Sequence, residues 1–420
     1  MKKIISISLA IIILMFLFVN ASQIFAAENI DLKNIKQNEI DSLVNDILRK
    51  SKTPGASIVL INENQTEYLA YGYANKTKNT EMAKNTLLEI GSMSKAFTGL
   101  GILLLEDQGK ISLNDPIEKY IPWLYFNYKG THKGKSINGT VNDLTVGNFL
   151  YQTSGIPFKS IGYIPEGVSD SSLEETIRTL VGTDLDFYPG DRYQYATINY
   201  DVLGYIIQLV SGQTYEDFII ENIIVPLGLD NTYLFQDKAI ETGLLAQGHK
   251  MSFFQSQPYA PRYRGNTPAG YIISNAIDME RWMRIQMGLV EIPDQYERII
   301  KKSHIGDTTV ISHGSYYYAA GWDVNIRGED IQHIGSNPNF SSMLIMQPEE
   351  NLGICILTNM NSNAAEYLAK NILNIIQEKN VTRYTSDTYK SLDFTFSIIL
   401  SLSLVLGCLF FVLLIIAVIG

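Results

Sequence analysis

A chain of 420 residues with 46% hydrophobic and 18% charged side chains has a globular composition and is long enough for two packed lobes. Its formal net charge of −10 leaves no broad electrostatic footprint for nucleic acid, so that class of partner is excluded on charge. The two cysteines, Cys355 in an apolar strand-like run and Cys408 in an apolar tail, cannot easily meet, and no disulfide is expected.

Residues 1–27 begin Met1-Lys2-Lys3, continue as an apolar run from Ile4 to Val19 and end in small residues. That is the order of a secretory signal peptide, with cleavage after Ala21 or Ala26. Asn34–Lys50 reads as an amphipathic helix. The stretch "PGASIVLINENQTEYLAYGYA" gives two β-branched and aromatic runs around the polar turn Asn62–Gln65, a hairpin signal. A helix opening near Ser92 and stopping at Gly109 follows.

From about Ile111 to Tyr263 strand signals are scarce, and helical patterns with Gly and Pro breaks dominate. One basic loop in this part, with Lys129, His132, Lys133 and Lys135, reads as a solvated surface turn. Strands return in "YYYAAGWDVNI", "DIQHIG", "SSMLIMQ" and "LGICILTN". A closing helix, Ala364 to Ile376, places Ala365, Leu368, Ile372 and Ile375 on one face. The simplest architecture is an α/β (α+β) body, residues 28–380. One sheet is assembled from both ends (about 28–110 and 264–380), and a helical lobe (about 111–263) is inserted. A polar stalk, residues 381–393, leads to Phe394–Gly420, which carries no charge and is long enough for a transmembrane helix. The predicted location is the cell membrane, with the body on its outer side.

Within "GSMSKAFTGLGILLLEDQGK" Ser92 and Lys95 are three apart, so both lie on one helical face. At a helix amino end the field favours an alkoxide, while burial disfavours an ammonium, so the Lys95 pKa is expected to fall. A lysine so lowered can take a proton from serine near neutral pH. Serine is also a good N-cap, and the spacing alone arises readily by chance. Two further stretches raise its weight: "PGDRYQYATINYDVLGYIIQLVSG" and "HIGSNPNFSSMLIMQPEENLGICILTN".

Together these three stretches resemble the serine β-lactamase and penicillin-binding-protein superfamily. The resemblance is to its class C β-lactamase, D-Ala-D-Ala carboxypeptidase and esterase branch, whose order is Ser-x-x-Lys, Tyr-x-Asn, then Lys-Thr-Gly or His-x-Gly. "YQTSGIP", "PAGYIISNAIDMERWM" and "AAGWDV" match as well, so the likeness runs from about Thr53 to Asn359. It implies a β-lactamase-like fold, Ser92 as the acylated nucleophile and Lys95 as its activating partner. Tyr195 is implied as a phenolate sharing proton transfer, the two titrating as a coupled pair. It further implies substrate binding by Thr197, His333, Gly335 and Ser336, with the backbone N–H groups of Ser92 and Ser336 as an oxyanion hole. His333 is left the lesser job of orienting a carboxylate or carbonyl. The histidine spacing shows no metal-ligand pattern, and neither metal nor cofactor is expected.

The sequence departs from the family pattern at Thr197, where asparagine is usual, at His333, where true β-lactamases have lysine, and at Asn339, where glycine is common. The reading is a membrane-tethered, extracytoplasmic serine hydrolase acting on D-amino-acid peptides or esters of cell-wall type. A peptidase that removes an acyl-D-amino-acid cap from an exported precursor is a close variant. The competing readings are a non-hydrolytic sensor that binds wall fragments or β-lactams, and a structural wall protein with a decayed site.

Overall fold

The computed structural model describes residues 31–32, 35–384 and 388–419, so the signal-peptide expectation for residues 1–27 lies outside the described residues. A nine-stranded sheet organises the body. Its spatial order is Ile311–His313, Tyr316–Tyr318, Asp323–Asn325, Ile331–Ser336, Ser341–Gln347, Leu352–Thr358, Gly55–Ile61, Thr66–Asn75 and Thr80–Glu81. Every neighbouring pair is antiparallel, and the late strands meet the early ones where Leu352–Thr358 pairs with Gly55–Ile61, Val59 opposite Cys355.

Both faces of the central strands are covered, which is why Gly55–Ile61 is buried at all seven positions and apolar except at Ser57. Ala56, Ile58 and Leu60 face a core shared with Ile40, Val44 and Ile47 of the Gln37–Ser51 helix and Leu368 and Ile372 of the Ala364–Ile376 helix. Val59 and Ile61 face the larger core, where the Ser94–Asp107 helix lies. That helix is buried from Ser94 through Leu105, so its sequence is apolar all round rather than striped. Phe97 stacks on Trp282 at 4.0 Å between ring centroids, and the Ile198–Ser211 helix packs against the Ser94–Asp107 helix.

Two elements differ from the sequence expectation. The 111–263 segment carries hairpins at Phe126–His132/Lys135–Val141 and His249–Ser252/Gln255–Pro258 among its helices. Their exposed faces are Lys, Asn, Thr and Gln, and the inward positions Phe126, Tyr128 and Val141 are too few to give a clear alternation. The basic loop is the first hairpin's tip, although His132 stacks on Tyr188 and bonds Asp191 at 3.0 Å. The second difference is the C-terminal helix, which starts at Thr388, inside the expected stalk, and runs to Ile419. Its Lys390–Val418 part contains an 18-residue stretch of mean hydropathy 3.0 with no buried residue, and is long and apolar enough to cross a bilayer. Cys355 is buried in the sheet and Cys408 exposed on this helix, both as free thiols.

Candidate active site

The chain reaches Ser92 through a tightly wired turn. Leu88–Glu89 pairs with Ile273–Ser274, and Ile90 N–H donates to Ile272 O at 2.9 Å. Ile90 O accepts from Ser342 Oγ at 2.7 Å, tying the turn to the sheet. Gly91 then adopts φ +56°, and a Cβ there would stand 2.7 Å from Ser336 N. Glycine is required at this position both for its backbone angle and for the approach of the Ile331–Ser336 strand. Gly335 is equally confined, since its Cβ would meet Ser342 Oγ at 2.1 Å and Ile90 O at 2.3 Å. Residues Gly91–Met93 form one 3₁₀ turn that leads into the Ser94–Asp107 helix. Ser94 points away from the cleft, its hydroxyl donating to Gly91 O and accepting from Ile272 N–H.

Lys95 follows one turn later. Its Nζ lies 3.0 Å from Ser92 Oγ and donates to Ala269 O at 2.6 Å. The side chain is completely buried, and that burial pulls the ammonium pKa down to about 7, with the Asp201 carboxylate acting in the opposite direction. Tyr195 lies beside it, Lys95 Nζ standing 5.0 Å from the ring centroid. Burial pushes the Tyr195 phenol above its usual range, against hydrogen bonds with the Ser92 and Thr197 hydroxyls that act to lower it. Burial thus favours the neutral phenol over the phenolate that the resemblance implies.

His333 is two per cent exposed and packs against Tyr195 with ring centroids 6.3 Å apart. Its Nδ1–H donates to Ile334 O at 2.7 Å, and Nε2 accepts from the Tyr318 hydroxyl at 3.1 Å. Burial and Lys95 press its pKa down to about 3, so the ring is neutral and both nitrogens are engaged by the protein. The cleft at Ser92, about 180 Å³, is lined by Ser92, Thr197, Asn266, Tyr271, Ser336 and Asn337 among others, with no Asp, Glu, Lys or Arg in its wall. Ser92, Lys95, Tyr195, Thr197, Gly335 and Ser336 are brought together here, drawn from three separate segments. Among the described residues, no group of three or more His, Cys, Asp or Glu side chains could hold a metal ion.

Three supports were not legible in the sequence. Ala269 O secures the lysine, accepting from Lys95 Nζ. Asp201, fully buried in the first turn of the Ile198–Ser211 helix, accepts from Asn266 Nδ2 at 2.6 Å, and burial raises its pKa. Asp201 opposes desolvation at Lys95, so Asp201→Asn is expected to move the acid limb of kcat/KM to lower pH. A pH–rate titration checks this; an unmoved limb would show Asp201 to be neutral already.

The third support is Glu89, also buried. Its carboxylate accepts from Asn337 Nδ2 at 2.7 Å and Gln236 Nε2 at 3.4 Å, with Asn339 as a further donor, while burial raises its pKa to about 7. Asn337 Nδ2 also reaches Gly270 O at 2.8 Å, joining Glu89 to the cleft wall. Asn339, unexplained in the sequence, is therefore part of an amide cluster around one acid. Glu89→Ala removes the acceptor these amides share, leaving Asn337 Nδ2 only Gly270 O, and is expected to cost about 1–3 kcal/mol of stability, read by urea unfolding, with Glu89→Gln losing less.

The sequence profile of the Beta-lactamase family matches residues 40–377. The chain belongs to this family. It is 32% identical over 360 residues to Protein flp of Staphylococcus aureus (strain MW2), covering 84% of this chain and 69% of that one. Over 348 residues it is 23% identical to Penicillin-binding protein 4* of Bacillus subtilis (strain 168), covering 78% and 73% of the two chains. Among solved structures it resembles the octameric penicillin-binding protein homologue from Pyrococcus abyssi, with TM-score 0.69 and 26% identity over 82% of this chain and 78% of that one. It also shares its fold with the β-lactamase/D-alanine carboxypeptidase from Pseudomonas syringae, with TM-score 0.65 and 20% identity over 81% and 99% of the two chains. The family and the β-lactamase-like α/β fold expected from the three motifs are those found, and the family is one of β-lactamase- and penicillin-binding-protein-like serine hydrolases.

Proposed function

We propose that this chain is a membrane-anchored, extracytoplasmic serine hydrolase that forms an acyl-enzyme on Ser92 with D-amino-acid-containing esters or peptides of cell-wall type. The observation that carries the reading is the buried Lys95 amine, 3.0 Å from Ser92 Oγ with its pKa near 7. Neutral Lys95 takes the Ser92 proton as Oγ bonds to the substrate carbonyl carbon. The resulting oxyanion is held by the backbone N–H groups of Ser92 and Ser336, each donor contributing about 2.7–4 kcal/mol to the transition state. Collapse expels the leaving group, which takes its proton from Lys95 directly or through the Tyr195 hydroxyl. Water then enters by the same route in reverse and releases the acid. The bond from Lys95 Nζ to Ala269 O, which holds the amine in place at Ser92, supports the hydrolytic reading over a non-hydrolytic sensor.

The uncharged wall narrows the substrate. A free C-terminal carboxylate entering the cleft finds no Lys or Arg in its wall, and an unpaired buried charge is costly. Esters, amides and capped D-amino-acid chains avoid that cost. Matched D-alanyl-D-alanine substrates, one a free acid and one its amide or ester, are expected to differ in kcat/KM by about tenfold or more in favour of the neutral form, equivalent to ~1.4 kcal/mol. Steady-state hydrolysis assays test this, and a preference for the free acid would sink the substrate assignment.

A further inference from the structure

The hairpin His249–Ser252/Gln255–Pro258 closes through a two-residue turn, Phe253-Phe254, with φ +47° and +64°. Two consecutive left-handed residues at such a tip normally call for Asn-Gly, because a Cβ is strained there and a bulky side chain more so. These phenylalanines also stay 56% and 43% exposed. Asp393, near the start of the apolar C-terminal helix, holds the tip in place. One carboxylate oxygen accepts from Phe253 N–H at 2.9 Å and the other from Phe254 N–H at 2.7 Å. The Phe254 ring then packs edge-on against Phe394, with centroids 5.7 Å apart. Nearby, Lys390 Nζ donates to Lys50 O at 2.8 Å.

We propose that the Phe253-Phe254 tip is an interfacial lipid anchor, buried at the bilayer surface beside the emerging helix. The proposal rests on the membrane-anchoring reading above and goes beyond it: the body is held to the bilayer at two points and has a fixed tilt. An unfavourable turn that displays two aromatic rings to water is explained if those rings meet the headgroup–acyl boundary, where aromatic side chains concentrate. Asp393 fixes the height, because the tip amides it accepts sit level with Phe394, the first residue of the charge-free run. The hairpin's base, Gly248, Pro258 and Tyr259, lines a cavity of about 220 Å³ together with Glu89, so the anchored element adjoins the support of the catalytic cleft.

The test uses the full-length protein in vesicles of phosphatidylcholine and phosphatidylglycerol, with and without lipids brominated near the headgroup end of the acyl chain. Phe254→Trp and Phe253→Trp are compared with Phe410→Trp in the middle of the helix and with the unsubstituted protein, whose own tryptophan signal is subtracted. The expected result is quenching of the added emission in both tip variants, and loss of most of that quenching when Asp393→Ala is added. Unquenched tip tryptophans alongside a quenched Trp at position 410 would overturn the proposal and leave the anchored helix standing. No quenching in any variant would overturn the membrane reading and the proposal with it.

Discussion

Ser92→Ala is expected to lower kcat by about 10⁴- to 10⁶-fold, the loss that follows removal of a nucleophile from a site whose parts act as a unit. The substitution is conservative for the fold. Ser92 occupies a single 3₁₀ turn whose geometry is set by Gly91, by the Ile90 hydrogen bonds and by Ser94 Oγ on Gly91 O. The melting temperature should therefore stay close to that of the unsubstituted protein while activity vanishes. Steady-state hydrolysis with a thermal melt separates the two readouts. Activity retained within tenfold would place the chemistry on another group.

Lys95→Met is expected to cost about 10²–10⁴ in kcat/KM, the usual contribution of a positioned base. It should also erase an acid limb near pH 7. Below that pH the buried amine is protonated and cannot accept the Ser92 proton; above it the amine is neutral and activity reaches a plateau. The same burial makes a stability prediction with a definite sign. The folded chain holds Lys95 near pH 7 and the unfolded chain near its ordinary 10.5, so between these values the unfolded state binds more protons. Stability of the unsubstituted protein should then rise with pH across that window, and Lys95→Met should lack this part of the rise. Tyr195→Phe removes only a neutral hydroxyl and is expected to lose less activity than Lys95→Met, with the acid limb intact. A limb that survives in Lys95→Met would belong to another buried group, Glu89 or Asp201.

Sequence and structure agree most closely where one physical constraint dominates. The Ala364–Ile376 helix matches its apolar face residue for residue, because one stripe meets one sheet face. Ser341–Gln347 and Leu352–Thr358 fall on the runs that predicted them, because strands covered on both faces read as unbroken apolar stretches. The Phe126–Val141 hairpin was hidden because most of its side chains are polar and face water. In the site, the Ser92–Lys95 pairing was legible because helical spacing alone determines it. The support given by Glu89, Asp201 and Ala269 was not legible. Each depends on contacts between segments far apart in the chain, as when Lys95 meets Ala269 O across 174 residues. The behaviour of Tyr195 and His333 depends on burial depth, which no spacing encodes.

Intact-protein and peptide mass spectrometry after exposure to a penicillin or a D-alanyl active ester tests the account most directly. It predicts one covalent acyl adduct on the peptide containing Ser92, formed in the unsubstituted protein, greatly slowed in Lys95→Met and absent in Ser92→Ala. An adduct carried by a different residue, or undiminished labelling and turnover in Ser92→Ala, would contradict it.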